Sequence, residues 1–98
     1  MALYSKFQVG QCCATQGALA ALEDNGEHPI SYIARHQSGD WGDLSAGDKA
    51  RNEAALIPDA DGECDRILSA YNLKDNQRIW IITEWDRSVT TVLLPSEG

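Results

Sequence analysis

The sequence predicts an α+β domain in the order β-α-α-α-β-β-β, with a four-stranded, mainly antiparallel sheet and helices packed on one face. Three observations predict it. The stretch from Arg66 to Pro95 alternates three short apolar runs with two polar turns, the pattern of three consecutive antiparallel strands. The part before it holds one alternating run and three short stretches with helix start and stop signals. With 98 residues, 43% of them hydrophobic, the chain supports one core and therefore one domain. Residues 1–57 supply a strand and the helices, 58–65 an acidic loop, and 66–95 the three-stranded meander.

Leu3, Ser5, Phe7 and Val9 alternate with Tyr4, Lys6 and Gln8, so residues 3–9 read as a half-buried strand that Gly10 ends. Cys12, Cys13 and Ala14 are small enough to lie under the sheet. Thr15 is placed to N-cap a helix through Leu22 whose stripe is Ala18, Leu19, Ala21 and Leu22, and Asn25-Gly26 stops it. Pro29 suits the first turn of a second helix, with Ile30, Ile33 and Ala34 on one face, running out near His36. Ser45, with Asp48 three residues on, opens a third helix over residues 46–57. Its apolar content is alanine plus Leu56 and Ile57, which places it at the surface, and Pro58 ends it.

In the meander, Ile67, Tyr71 and Leu73 share a face with Ser69 between them. Lys74-Asp75-Asn76-Gln77 is a turn. Ile79, Ile81 and Thr83 alternate with Trp80, Ile82 and Glu84; two largely apolar faces predict a central strand. Asp86-Arg87-Ser88 turns the chain again, and the last strand, Val89 to Leu94, stops at Pro95.

Eight basic and fifteen acidic residues leave a net charge of −7. Nucleic-acid capture needs clustered Lys and Arg, so direct nucleic-acid binding is not expected, whereas a basic protein partner is. From Asp40 to Asp65 eight acids face only Lys49 and Arg51, so most of this charge sits in the middle third. There is no apolar run long enough for a membrane span and no secretory pattern at the N-terminus, so a cytoplasmic protein is expected. Three cysteines without a CxxC pair, and two histidines without ligand-like spacing, predict free thiols, no metal and no cofactor. Asp59, Asp61 and Glu63 around Gly62 do not match the glycine and glutamate positions of a calcium loop, and read as a solvated acidic loop.

The richest segment is Arg35-His36-Gln37-Ser38-Gly39-Asp40-Trp41-Gly42-Asp43, with a guanidinium, an imidazole, a hydroxyl, two carboxylates and an indole in nine residues. One reading is structural: a helix C-terminus carrying cations, then a loop pinned by Trp41. The other is a binding loop.

The segments ARHQSGDWGDL, RILSAY and IWIITEWDRSVTTVLLP, with the small-residue lead-in ATQGAL, resemble a family of small bacterial proteins found among plasmid- and phage-related genes, to which no activity is assigned. The resemblance covers nearly the whole chain. It implies a group of matching positions: Arg35, His36, Ser38, Gly39, Asp40, Trp41, Gly42, Arg87, Thr90 and Thr91. This chain departs from the pattern by the longer acidic insert IPDADGECD.

Two function classes follow. The first is a non-enzymatic protein-interaction module of mobile-element origin, whose acidic middle third meets a basic partner such as a host nucleic-acid-processing enzyme. Its candidate binding residues are Arg35, His36, Ser38, Asp40, Trp41, Arg87 and Thr90. The second is a small metal-independent hydrolase or toxin-type ribonuclease, with His36 or Glu84 as base and Arg35 or Arg87 holding phosphate. A third, plainer expectation is that Arg35 and Arg87 pair with Asp40, Asp43 or Asp86. A sheet with one bare face would expose Trp80 and Ile82 and favour a homodimer through that patch.

Overall fold

In the computed structural model, which describes residues 5–98, the elements run β1 (Gln11–Ala14), α1 (Gln16–Asp24), α2 (Pro29–Gln37), α3 (Ala46–Ala55), β2 (Ile67–Asn72), β3 (Arg78–Thr83) and β4 (Val89–Leu93), closed by a 3-10 turn over Pro95–Glu97. The sheet order is β1-β4-β3-β2. β2, β3 and β4 form the antiparallel meander, and β1 joins β4 in parallel.

The helix starts follow from local chemistry. Thr15 and Ser45 each accept a backbone N–H in the first turn of α1 and α3, from Ala18 and Asp48, both at 3.1 Å. Gly26, at φ 65°, turns the chain out of α1. Pro29 opens α2, and the His28 ring nitrogen Nδ1 accepts from the Ile30 N–H.

Register puts Ile67, Ser69 and Tyr71 of β2, Ile79, Ile81 and Thr83 of β3, and Thr90 and Val92 of β4 on one face, all of them fully buried or nearly so. Ala18, Ala21 and Leu22 of α1 and Tyr32 of α2 cover its main cluster. A second cluster, Trp41, Ala55 and Ile67 with Phe7, Leu44 and Leu56 against it, joins α3 to the loop after α2. Less of the opposite face is covered: Leu68, Trp80, Ile82, Val89 and Thr91 are half-buried there, Ala70 and Leu93 are buried, and the Pro95–Glu97 turn with Gly98 packs at the Trp80 end.

Two expectations are corrected. The strand placed at 3–9 begins outside the described residues at Leu3 and Tyr4, and residues 5–9 are not strand; pairing starts at Gln11. Phe7 leaves the sheet plane to fill the second cluster, and Gly10, at φ 62°, turns the chain onto β4, where a Cβ would lie 2.3 Å from the Ser88 carbonyl oxygen. Cys12 and Cys13 therefore do not lie under the sheet but are exposed on its edge. Burial and the neighbouring Cys13 push the Cys12 thiol up.

The outer edge of β2 is met by groups outside the sheet. Asn52 acts as a strand in miniature: its side chain donates to the Leu68 carbonyl (2.6 Å) and accepts the Leu68 N–H (3.2 Å). Further along, Ala70 N–H donates to the Trp41 carbonyl and Asp43 N–H to the Ala70 carbonyl, while the Asp43 carboxylate accepts from Asn72 N–H. The approach is so close that a Cβ on Gly42 would sit 2.0 Å from the Ala70 oxygen. Replacing Asn52 by Ala strips both Leu68 groups of their partners; it is expected to cost about 2 kcal/mol and lower Tm by roughly 10 °C in a thermal melt.

Candidate functional site

The polar residues singled out in the sequence divide into an interior group and a surface group. The interior group is built on His36, which is fully buried. Its Nδ1 lies 2.5 Å from Ser69 Oγ and its Nε2 2.9 Å from Thr83 Oγ1; Thr83 Oγ1 is 2.7 Å from Thr90 Oγ1, and Thr90 donates to the Val9 carbonyl at 2.8 Å. The order of protons along this chain follows from its end. A carbonyl only accepts, so Thr90 gives its single proton to Val9, Thr83 gives its proton to Thr90, and Nε2–H of His36 donates to Thr83. Nδ1 is then left to accept from Ser69. Among the described residues every buried side-chain nitrogen and oxygen has a partner.

Burial, and then the nearby Arg87 cation, lower the His36 pKa to about 3, so the ring is neutral across the physiological range. The consequence for stability has a definite sign. Below pH 6.5 the unfolded chain takes up a proton at this position that the folded chain refuses until about pH 3. Stability is expected to fall as the pH drops through that window, by about 2 kcal/mol between pH 6.5 and pH 5. Thermal melts over this range check it, with His36→Gln expected to give a flatter profile than the native chain.

Around the imidazole the aromatic rings close. Phe7 meets His36 edge-on at 5.1 Å between centroids and stacks on Trp41 at 6.1 Å. Trp41, itself buried, donates its Nε1–H to the Glu53 carboxylate at 2.7 Å. The Arg87 guanidinium carbon lies 5.8 Å from the Phe7 ring centre. Phe7 is thus the residue through which the SGDWG loop and the Glu84–Ser88 turn come together. Sequence reasoning missed it because its alternating neighbours assigned it to a strand.

Among the described residues Arg87 does not pair with Asp86 or any other carboxylate. Its Nη1 donates to the carbonyl of Asp65 at 2.6 Å and, at longer range, to those of Glu84 and Trp85, while Nη2 donates to the Ala55 carbonyl at 2.8 Å. It ties the end of α3, the entry to β2 and the β3–β4 turn together. The Glu84 side chain makes no hydrogen bond or ion pair among the described residues, and the ring nitrogens of the sealed imidazole are bonded to Ser69 and Thr83 instead.

The surface group sits at the C-terminal end of α2. Arg35 Nε donates to the Asp40 carboxylate at 2.7 Å, and its guanidinium lies over the rings of Tyr71 (4.6 Å) and Tyr32 (5.6 Å). The hydrogen bond from Arg35 holds the Asp40 carboxyl below its usual range. Asp40 also accepts from Gly42 N–H, its carbonyl accepts the Tyr71 hydroxyl, and Ser38 Oγ donates to the Arg35 carbonyl. Burial pushes Tyr71 up to about 12, so it stays protonated. These bonds close the helix end, and both Arg35 and Asp40 remain about half exposed.

The arrangement holds one scaffold rather than an open cleft. His36, Thr90, Trp41 and Arg87 converge, as their spacing in the sequence did not reveal, but their polar atoms are taken up by bonds within the fold. Among the described residues no group of three or more His, Cys, Asp or Glu side chains is placed to hold a metal ion, and no helix is long and apolar enough to cross a membrane. Comparison with protein-family models, with curated proteins and with solved structures gave no match.

Proposed function

We propose that the protein is a protein-interaction module that works through the uncovered face of its sheet. The observation that carries this reading is the composition of that face. Leu68, Trp80, Ile82, Val89 and Thr91 are half-buried on it beside Gln11 and Cys13 of β1, and among the described strand residues of that face the single formal charge is Arg78, at its β2–β3 turn end, in a chain whose net charge is −7. An apolar centre with a charged rim is the anatomy of an interface. The rim is at hand on the β2 side, where a cleft of about 320 Å³ adjoins Leu68 and is lined by Leu44, Asp48, Arg51, Asp65 and Arg66.

The occupant that the charge favours is a basic protein surface. A host nucleic-acid-processing enzyme, with a cleft made for phosphate, belongs to that class, and a mobile-element origin agrees with the resemblance noted in the sequence. The competing ribonuclease reading draws no support from His36, which has no access to a substrate.

The test is affinity capture from a bacterial lysate with the native chain and with Ile82→Arg, at 50 and 300 mM salt. The expected result is a basic protein held in stoichiometric amount by the native chain, weakened by salt and lost with Ile82→Arg. Capture of the same protein by Ile82→Arg, or none by the native chain at either salt, would overturn the reading. Light scattering on the same samples separates the homodimer: a mass twice 10.7 kDa that Ile82→Arg halves would assign the face to a second copy instead.

A further inference from the structure

The two edges of the sheet are finished differently. On β2 the N–H groups of Leu68, Ala70 and Asn72 are met by Asn52, Trp41 and Asp43. On β1 the N–H of Gln11 donates to the Ser88 carbonyl just before β4, and the N–H of Thr15, just after β1, to the Val92 carbonyl. Alternation along a strand then turns the backbone groups of Cys12 and Ala14 outward, away from β4. Among the described residues no backbone group bonds to them. A strand edge left open in this way is a template for another chain, and proteins commonly cover or blunt it.

Beside the open edge runs a groove of about 510 Å³ between β1 and α2. Cys12 and Ala14 form one wall, and Pro29, Ile30, Ile33 and Ala34 the other. No Asp, Glu, Lys or Arg lines it, and Ile30 is 66% exposed. An open strand edge and an apolar trough along it are the two halves of a strand-addition site: the edge binds main chain, and the trough reads alternate side chains.

We propose that β1 and this groove bind an extended segment of another protein, which adds as a fifth strand beside β1. Its main chain pairs with Cys12 and Ala14, and every second side chain enters the groove against Ile30 and Ile33. The nine residues of α2 rise by about 13 Å, a length that an extended segment of about four residues spans. The side chains that fit are β-branched aliphatics. Glu27 precedes the groove residue His28, with its carboxylate accepting the Tyr32 hydroxyl, so a Lys or Arg at that end of the segment adds the opposite charge beside the start of α2. A second copy of this chain is a poor occupant, because the sequence QCCA of β1 brings no side chain large enough to fill the trough. This site is separate from the uncovered sheet face, and either can fail without the other.

The test is NMR titration of the full chain with the acetylated and amidated peptide Lys-Thr-Val-Ile-Val-Lys, and with the same peptide N-methylated at alternate residues. The expected result is shift changes confined to residues 9–14 and 28–37, and exchange of the Cys12 and Ala14 amides slowed at least tenfold. The edge of the N-methylated peptide that must pair is blocked, so its binding is expected to be lost. Ile30→Asp, at an exposed position, is expected to weaken binding at least tenfold with Tm unchanged. Three outcomes would overturn the proposal: no shift at millimolar peptide, shifts centred on Trp80 and Ile82, or equal binding of the N-methylated peptide. Protection of Cys12 and Ala14 in the free protein would also overturn it, since the edge would then be occupied.

Discussion

His36→Ala is expected to lose about 4 kcal/mol of folding stability, a large share of the 5–15 kcal/mol that a domain of this kind has in total. Two effects add. Removing a fully buried ring opens a cavity against Phe7 and Trp41, and it leaves Ser69 with no acceptor and Thr83 with no donor. Orphaned hydroxyls in a dry interior cost more than the hydrogen bonds were worth. The companion experiment removes these orphans as well: His36→Leu combined with Ser69→Ala and Thr83→Val is expected to recover much of the loss, because both partners of each lost bond become apolar while Thr90 keeps its bond to the Val9 carbonyl. Denaturant melts of the single and triple variants measure both. The single variant has a second lesson. Any activity lost in His36→Ala would follow from unfolding, so that substitution does not by itself identify a catalytic base.

Arg87→Lys is expected to cost about 3 kcal/mol, more than a conservative change at a surface cation. The planar guanidinium reaches the Ala55 carbonyl with one nitrogen and the Asp65, Glu84 and Trp85 carbonyls with the other. A lysine ammonium is a single point on a flexible stem and does not span these positions. It would also lose the flat contact over Phe7. The cation additionally faces the C-terminal end of α3, where it complements the helix dipole. Because Arg87 ties Ala55 to Asp65, the acidic loop between them is expected to loosen first. Amide exchange in Arg87→Lys should therefore rise over residues 55–66 before it rises in β3, and a melt gives the total loss. Uniform loosening of the whole chain would contradict the tether.

Much of the fold was legible because its signals are local. Thr15, Pro29 and Ser45 announce helix starts by what they do within one turn, and the alternation in Ile79–Thr83 needs only its own residues. The misplaced first strand shows where this fails. Alternation of Leu3, Ser5, Phe7 and Val9 describes an extended chain, but pairing depends on a partner some 80 residues away, and β4 is met by Gln11–Ala14, which alternates nothing. The site was half legible for the same reason. Residues 35–43 stand out by residue type, yet type does not tell whether a side chain points in or out. His36 is met by Ser69 and Thr83, 33 and 47 positions away, which in the sequence are merely polar residues inside apolar strands. Asn52, too, reads as a polar residue on a surface helix until its two bonds to Leu68 are seen.

On the function proposed above, the His36 chain of hydrogen bonds is scaffold and the uncovered sheet face is where the protein acts. The most direct measurement compares partner capture by two variants, each at a temperature where it is folded: Ile82→Arg, which places a charge on the face, and Ser69→Ala, which cuts the buried chain. The expected result is that Ile82→Arg keeps its Tm and loses the partner, while Ser69→Ala melts earlier and keeps it. A folded Ser69→Ala that loses the partner, with Ile82→Arg binding as the native chain does, would contradict it.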